Sequence, residues 1–275
     1  MKKNKIIVHC MVKNEENFIW YALQSVLPFV EKIMVWDTGS EDKTVKIIES
    51  IKSPKIELKI IGNVDKDSFT SARNEMLKNT DKQKYDWLMI LDGDEIWPSN
   101  SFKKIKSFID SHPGTQAIFL NTMNSVGDIY HKQTQSAGHY NIKGKSGHLS
   151  VRFINLKNVP NLRVDLPHGQ QGFFSDKTLI QELPNVDYVD TYYLHTTHLE
   201  RSSLDKSTLK RSIKRKFELG ERVPLDQLPK IIFAKHSSLV PDVSKHMNFI
   251  VFLQCLALTI PRRIKRLFIS PTEGY

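Results

Sequence analysis

The sequence predicts an α/β protein with a Rossmann-like, mostly parallel central sheet flanked by helices. Three observations carry that prediction. Four short apolar runs alternate with helix-period segments inside the first ninety residues, the pattern of strand–helix–strand units. Each of three of those runs stops at a polar, acidic cluster, which is where open α/β sheets bind their ligands. The chain, at 275 residues and 40% hydrophobic, is long enough to bury one sizeable core, and it shows no internal repeat, low-complexity tract or heptad array.

The elements follow in order. Residues 5–12 read as a buried strand, because Ile6, Ile7, Val8, Cys10, Met11 and Val12 leave little room for a polar face. Residues 17–27 carry apolar side chains at helical spacing and stop at Pro28. A second strand, 32–36, ends at Asp37. Thr38-Gly39-Ser40 turns the chain, and Ser40 is placed to cap a helix running to about Ile51. A third strand covers 57–61, a short helix 71–78, and a fourth strand 87–91 runs straight into Asp92. Beyond residue 100 a helix is expected over 102–109 and strands over 117–123 and 149–155. Residues 126–147 read as a polar loop, 205–219 as a basic helix, and 249–260 as an apolar helix followed by Pro261-Arg262-Arg263-Ile264-Lys265-Arg266.

Charge is unevenly placed. Residues 1–200 hold 25 Lys and Arg against 24 Asp and Glu, whereas 201–275 hold 15 against 6. The excess therefore belongs to the tail, which argues against a nucleic-acid partner for the body. The start of the chain lacks the uninterrupted apolar stretch of a signal peptide, and Cys10 and Cys255 have no metal or disulfide spacing. A reducing, cytoplasmic setting is expected.

Asp92-Gly93-Asp94-Glu95 presents three carboxylates at one strand end. Such groups repel unless a cation or shared proton compensates, and Mg²⁺ or Mn²⁺, held by one or two carboxylates plus phosphate oxygens, suits them. An acidic turn capping the next helix is the plain alternative. Three further clusters keep it company: Lys13-Asn14-Glu15-Glu16, Asp37-Thr38-Gly39-Ser40 and Ala72-Arg73-Asn74, each at a strand end or helix start.

Taken in order, these four segments resemble the Asn-Glu-Glu loop, Asp-x-Gly-Ser turn, Ala-Arg-Asn helix start and Asp-x-Asp strand end of the inverting GT-A glycosyltransferases of family 2. The resemblance covers roughly residues 5–100. It implies that Asn14, Glu15 and Asp37 line a nucleoside pocket, that Arg73 sits near the base and diphosphate, that Asp92 contacts the ribose or metal-bound water, and that Asp94 ligates a metal bridging the two phosphates of a nucleotide-diphosphate sugar. A fixed cation would stabilise the departing diphosphate, and inversion would need a base for the acceptor's proton. Residues 151–155 and 166–168 are similar to an Arg-Leu-Phe-Arg-Asn strand followed by a His-Glu pair in some members, but this chain has His168-Gly169. Asp165, Glu95 and Glu182 are the candidates left for that base, Asp165 first. His198, three residues after His195, is a candidate for completing the metal shell, with ordinary packing as its alternative.

The expected organisation is a GT-A domain over 1–200, with a nucleotide-binding half (1–100) and an acceptor half (101–200), then a basic helical C-terminal extension (201–275). The tail fits either a segment lying on an anionic membrane through 249–266 or a core helix with a solvated basic edge. The expected activity moves a sugar to a cell-envelope glycan or lipid-linked acceptor. Its rivals are a nucleotidyltransferase of similar architecture, lacking here the usual Gly-rich phosphate loop, and an inactive basic membrane-binding module.

Overall fold

The computed structural model describes residues 4–166, 172–206 and 216–266. Strand β1 (Ile6–Val12) lies at the centre of a parallel set, with β2 (Lys32–Asp37) and then β3 (Ile56–Ile60) on one side and β4 (Trp87–Asp92) on the other. The register sets Val12 beside Asp37 and Met11 beside Asp92, so the acidic ends of β2 and β4 flank the end of β1. Both faces of β1 are covered. Ile6, Val8, Cys10 and Val12 join a core with α1 (Ile19–Val26) and α2 (Thr44–Ser50), while Ile7 and Met11 join another with α3 (Lys66–Lys78). That two-sided burial is why the strand reads as a continuous apolar run.

The second half adds β5 (Glu95–Ile96), α4 (Ser99–Ser111), β6 (Ala117–Val126), β7 (Asp128–Lys132), a hairpin of β8 (Tyr140–Ile142) and β9 (Lys145–Gly147), and β10 (Leu149–Asn155). A small antiparallel sheet of β11 (Leu162–Asp165), β12 (Gly172–Ser175) and β13 (Thr178–Leu179) precedes β14 (Val186–His195) and β15 (Glu221–Arg222). The main sheet runs β15-β7-β6-β10-β4-β1-β2-β3, with β14 paired to β6 and β5. Its strands β1 to β4, β6 and β14 point the same way, since β10 is antiparallel to both β4 and β6 and β14 is parallel to β6. The expected GT-A architecture, mostly parallel, is what forms.

Three local expectations change. Residues 126–147 are not one loop: Ile129, Tyr130 and Ile142 are buried, and these apolar positions pull β7 and the β8–β9 hairpin onto the body. Ser40 does not cap α2. Its Oγ accepts a bond from the Asn14 N–H at 2.9 Å, and Asp42 Oδ1 accepts the Thr44 N–H at 2.9 Å instead. The helix expected over 205–219 falls largely on 207–215, outside the described residues; Ser203–Lys206 is a 3₁₀ turn and 216–220 are irregular. Among the described residues after 200 the α-helix is α5 (Phe249–Arg266), while Val223, Leu228, Ile232 and Val240 ahead of it are buried in the main core.

Candidate active site

The loop after β1 is tied down from three directions. Asn14 sits in the left-handed region at φ 55°, and its Oδ1 accepts the Glu41 N–H at 2.8 Å. The Glu15 N–H donates to Thr44 Oγ1 at 2.8 Å. Glu16 accepts the backbone N–H groups of Lys43 at 3.2 Å and Ser203 at 2.8 Å. Asn17 holds residues 200–201 by a backbone bond of 3.0 Å to the Arg201 carbonyl and a side-chain bond of 2.8 Å to that of Glu200. The acidic loop thus anchors a segment nearly two hundred residues away.

That segment delivers Arg201. Its Nη1 lies 2.8 Å from Glu15 Oε1 and 2.8 Å from Asp94 Oδ2, all three groups buried. Burial works to raise the Asp94 pKa, but Arg201 and His195 outweigh it and hold the carboxyl below the usual carboxylate range. Burial pushes Glu15 up in spite of Arg201. Gly93 is required by crowding: a Cβ there would meet Glu15 Cγ at 2.8 Å and Val12 Cγ1 at 3.1 Å.

Strand pairing completes the cluster. β5 pairs with the end of β14, Glu95 opposite His195, and the Asp94 carbonyl accepts the Thr196 N–H at 2.9 Å. His195 Nε2 therefore stands 3.5 Å from Asp94 Oδ1. Asn124 orients this ring, its Oδ1 3.2 Å from His195 Nδ1, while its Nδ2 lies 2.9 Å from His148 Nδ1. The Asp94 carboxylate and the His195 imidazole thus face each other across 3.5 Å, an oxygen and a ring nitrogen brought to one point by the β5–β14 pairing.

Asp92 meets two other arginines, Arg152 Nη2 at 3.0 Å and Arg73 Nη2 at 3.8 Å. Burial opposes ionisation of Asp92, and Arg152 with Arg73 overcomes it. Arg152 also donates from Nε to the Tyr193 hydroxyl at 3.1 Å and pairs with Glu95. A cavity of about 680 Å³ has walls that include Arg73, Asp92, Arg152, Tyr193, His195 and His198, together with His139, Tyr140 and Phe173.

The sequence candidates fall into place as follows. Arg73, Asp92 and His198 line the cavity, and Asp94, off its wall, stands against His195, which lines it. Asn14, Glu15 and Asp37 stand at the neighbouring strand ends, not on that wall. One Asp37 oxygen, Oδ1, accepts the N–H groups of Gly39 at 3.1 Å and Ser40 at 3.0 Å. The other, Oδ2, is buried with no hydrogen-bond partner among the described residues, a state that ordinarily costs about 1–3 kcal/mol. Glu95 is fully buried against Arg152, and burial raises its pKa. Asp165 is half-buried and held low by Arg163 and the Leu166 N–H, and Glu182 is exposed. None of the three base candidates lines the cavity, where Asp92 is the one carboxylate among the described residues. His168 and Gly169 lie outside the described residues. Among the described residues no group of three or more His, Cys, Asp or Glu side chains is disposed to hold a metal; the Asp94–His195 pair offers two ligands. Asn74, quoted for its motif, bonds the Val164 backbone through Nδ2 and Oδ1, each at 2.8 Å, and so fastens β11 to α3.

The sequence matches the description Glycosyl transferase family 2 over residues 7–163, more than half of the chain. The chain belongs to that family. This family 2 protein is also 26% identical over 177 residues to a TPR repeat-containing protein of Synechococcus elongatus, an alignment covering 64% of this chain and 38% of that one, so the chain spans well under half the length of that relative. Among solved structures it is similar to glucosyl-3-phosphoglycerate synthase from Mycobacterium tuberculosis in complex with phosphoglyceric acid (TM-score 0.44, 15% identity, 76% of each chain). It is also similar to a mycobacterial protein (TM-score 0.32, 16% identity, 44% of this chain and 41% of that one). The matched span ends before Tyr193, His195 and Arg201, the site residues that motif reading missed along with Arg152. His195 left a faint trace, its spacing from His198; Arg201 left none.

Proposed function

We propose that the chain is a metal-dependent, inverting hexosyltransferase that moves a sugar from a nucleotide-diphosphate donor to a cell-envelope glycan or lipid-linked acceptor, in the cytoplasm and against the inner leaflet through residues 249–266. The observation that carries the donor half is the Asp94–His195 pair, an oxygen and an imidazole nitrogen 3.5 Å apart at a cavity edge bearing Arg73 and Arg152. These residues fit a divalent cation that takes its remaining ligands from phosphate oxygens. His195 stands beside Asp94, and a nitrogen ligand favours Mn²⁺ over Mg²⁺. Such a cation, when bound, supplies charge neutralisation for a departing diphosphate.

The chain's own residues do the rest. Arg201 keeps Asp94 ionised and aimed. Arg152, fixed by Tyr193 and Glu95, and Arg73 offer guanidinium donors to phosphate oxygens. The unmet Asp37 Oδ2 is an acceptor suited to a nucleobase N–H. The large cavity beyond these groups has the aromatic and histidine walls that suit an acceptor glycan. Two free cysteines, both buried, support a reducing location.

The test is calorimetry against UDP-, GDP- and dTDP-sugars and the nucleoside triphosphates, each with and without Mn²⁺, on the native chain and on Asp94→Ala and His195→Ala. Binding of one diphosphate sugar that requires the cation and drops at least tenfold in both variants is the expected result. A preference for a triphosphate would turn the reading to nucleotidyl transfer, and a flat panel to an inactive module.

A further inference from the structure

Helix α5 is built inside out. The side chains it turns to the body are Val251, Cys255, Thr259 and Arg262, at helical spacing along one face. Thr259 Oγ1 accepts the Leu219 N–H at 2.8 Å and donates to the Cys255 carbonyl at 2.5 Å. The approach to this seat is polar as well: Asp128 Oδ2 accepts the Met247 N–H at 2.9 Å, and the Tyr130 hydroxyl donates to the Ser244 carbonyl at 2.6 Å. Outward the helix shows Phe249, Ile250, Phe252, Leu253, Leu256 and Ile260, exposed by 41–72%. A surface helix of a globular protein normally does the reverse, and a contiguous apolar surface of this kind marks a place of interaction.

We infer that α5 is an in-plane anchor for an anionic lipid bilayer. Charge names the occupant: Arg263, with Lys265 and Arg266 following in sequence, comes directly after the apolar face, and cations beside membrane-inserting apolar side chains are the makeup of helices that lie in an anionic interface. A second copy of the chain fits less well. Parallel pairing of two such helices would bring their cation clusters together, and antiparallel pairing would lay each cluster on the other's Phe249–Phe252 end. Among the described residues no helix is long and apolar enough to cross a membrane, so the segment lies on the surface. His198 and Lys216 border both the cleft under the start of α5 and the large cavity. The inference rests on the proposed transfer to envelope or lipid-linked acceptors only for its purpose; lipid binding is scored alone.

The experiment is flotation of the full chain with vesicles of phosphatidylglycerol mixed with phosphatidylcholine and with vesicles of phosphatidylcholine alone, without donor. Binding to the anionic vesicles that weakens with salt is expected. Leu253→Glu with Leu256→Glu should abolish it. Arg263→Ala with Lys265→Ala should weaken it by about twenty-five-fold, near fivefold per cation. These substitutions should leave the thermal unfolding midpoint unchanged. No flotation at low salt, equal binding to both vesicles, or a dimer that the leucine substitutions dissolve without any vesicle binding would each overturn the inference. Vesicle binding together with a flat donor panel would sink the transfer reading and leave this one standing.

Discussion

At the scale of single residues, Arg201 decides most. One guanidinium group joins two buried carboxylates, Glu15 and Asp94, that come from different strand ends. Removing a partner from such a buried cluster costs about 3–5 kcal/mol, because the remaining charge has neither water nor a counterion. Arg201→Ala should therefore lower the unfolding midpoint by roughly 10 °C and weaken cation-dependent donor binding; Arg201→Lys, which keeps a charge but loses the planar fork, should fall between. A thermal scan with equal midpoints for all three would show that Glu15 and Asp94 find another partner. Asp37, by contrast, was legible from sequence as a residue and as a position, because a carboxylate closing an apolar run can only sit at a strand end. What sequence could not say is that one of its oxygens is already spent on the turn and the other is left unmet.

At the scale of elements, the four strands and three helices of the first half were readable because each writes its period directly into the order of apolar residues. β5 was not readable: two residues, Glu95 and Ile96, carry no period. Yet its pairing with β14 is what brings His195 to Asp94, so the piece of the site hardest to foresee hangs on the shortest strand. The same reasoning explains the loop expected over 126–147, whose strands of three to five residues are too short to show alternation. The turn between β4 and β5 makes a testable point. Because a Cβ at Gly93 would crowd the Glu15 and Val12 side chains, and Glu15 is itself held by Arg201, Gly93→Ala should displace the arginine cluster. An expected loss of about 1–3 kcal/mol from overpacking, with weaker donor binding, can be read in urea titration beside calorimetry. An unchanged urea midpoint would mean that the β1 loop yields freely.

At the scale of the whole molecule, stability should depend on pH through a buried histidine. His9 on β1 bonds Thr80 at 2.7 Å, and burial, aided by Arg73, lowers its pKa from 6.5 to about 3. Below about pH 6.5 the unfolded chain takes up a proton that the folded chain refuses, so stability falls as pH falls, by about 1.4 kcal/mol per unit from this group until near pH 3. Asp92 and Asp94, both held low, act in the same direction further down, since their folded forms stay ionised where the unfolded ones protonate. Urea midpoints between pH 7 and 4 should slope steeply for the native chain and less for His9→Gln; parallel slopes would put the acid sensitivity elsewhere. The long reach from the β1 loop to residues 200–203 has a last consequence, for synthesis. A nascent chain can lay down β1 to β4 early, but its acidic loop stays without its arginine until residue 201 has left the ribosome, so the proposed donor site closes late and a fragment cut at residue 163 should leave the Glu15 and Asp94 carboxylates without their guanidinium partner.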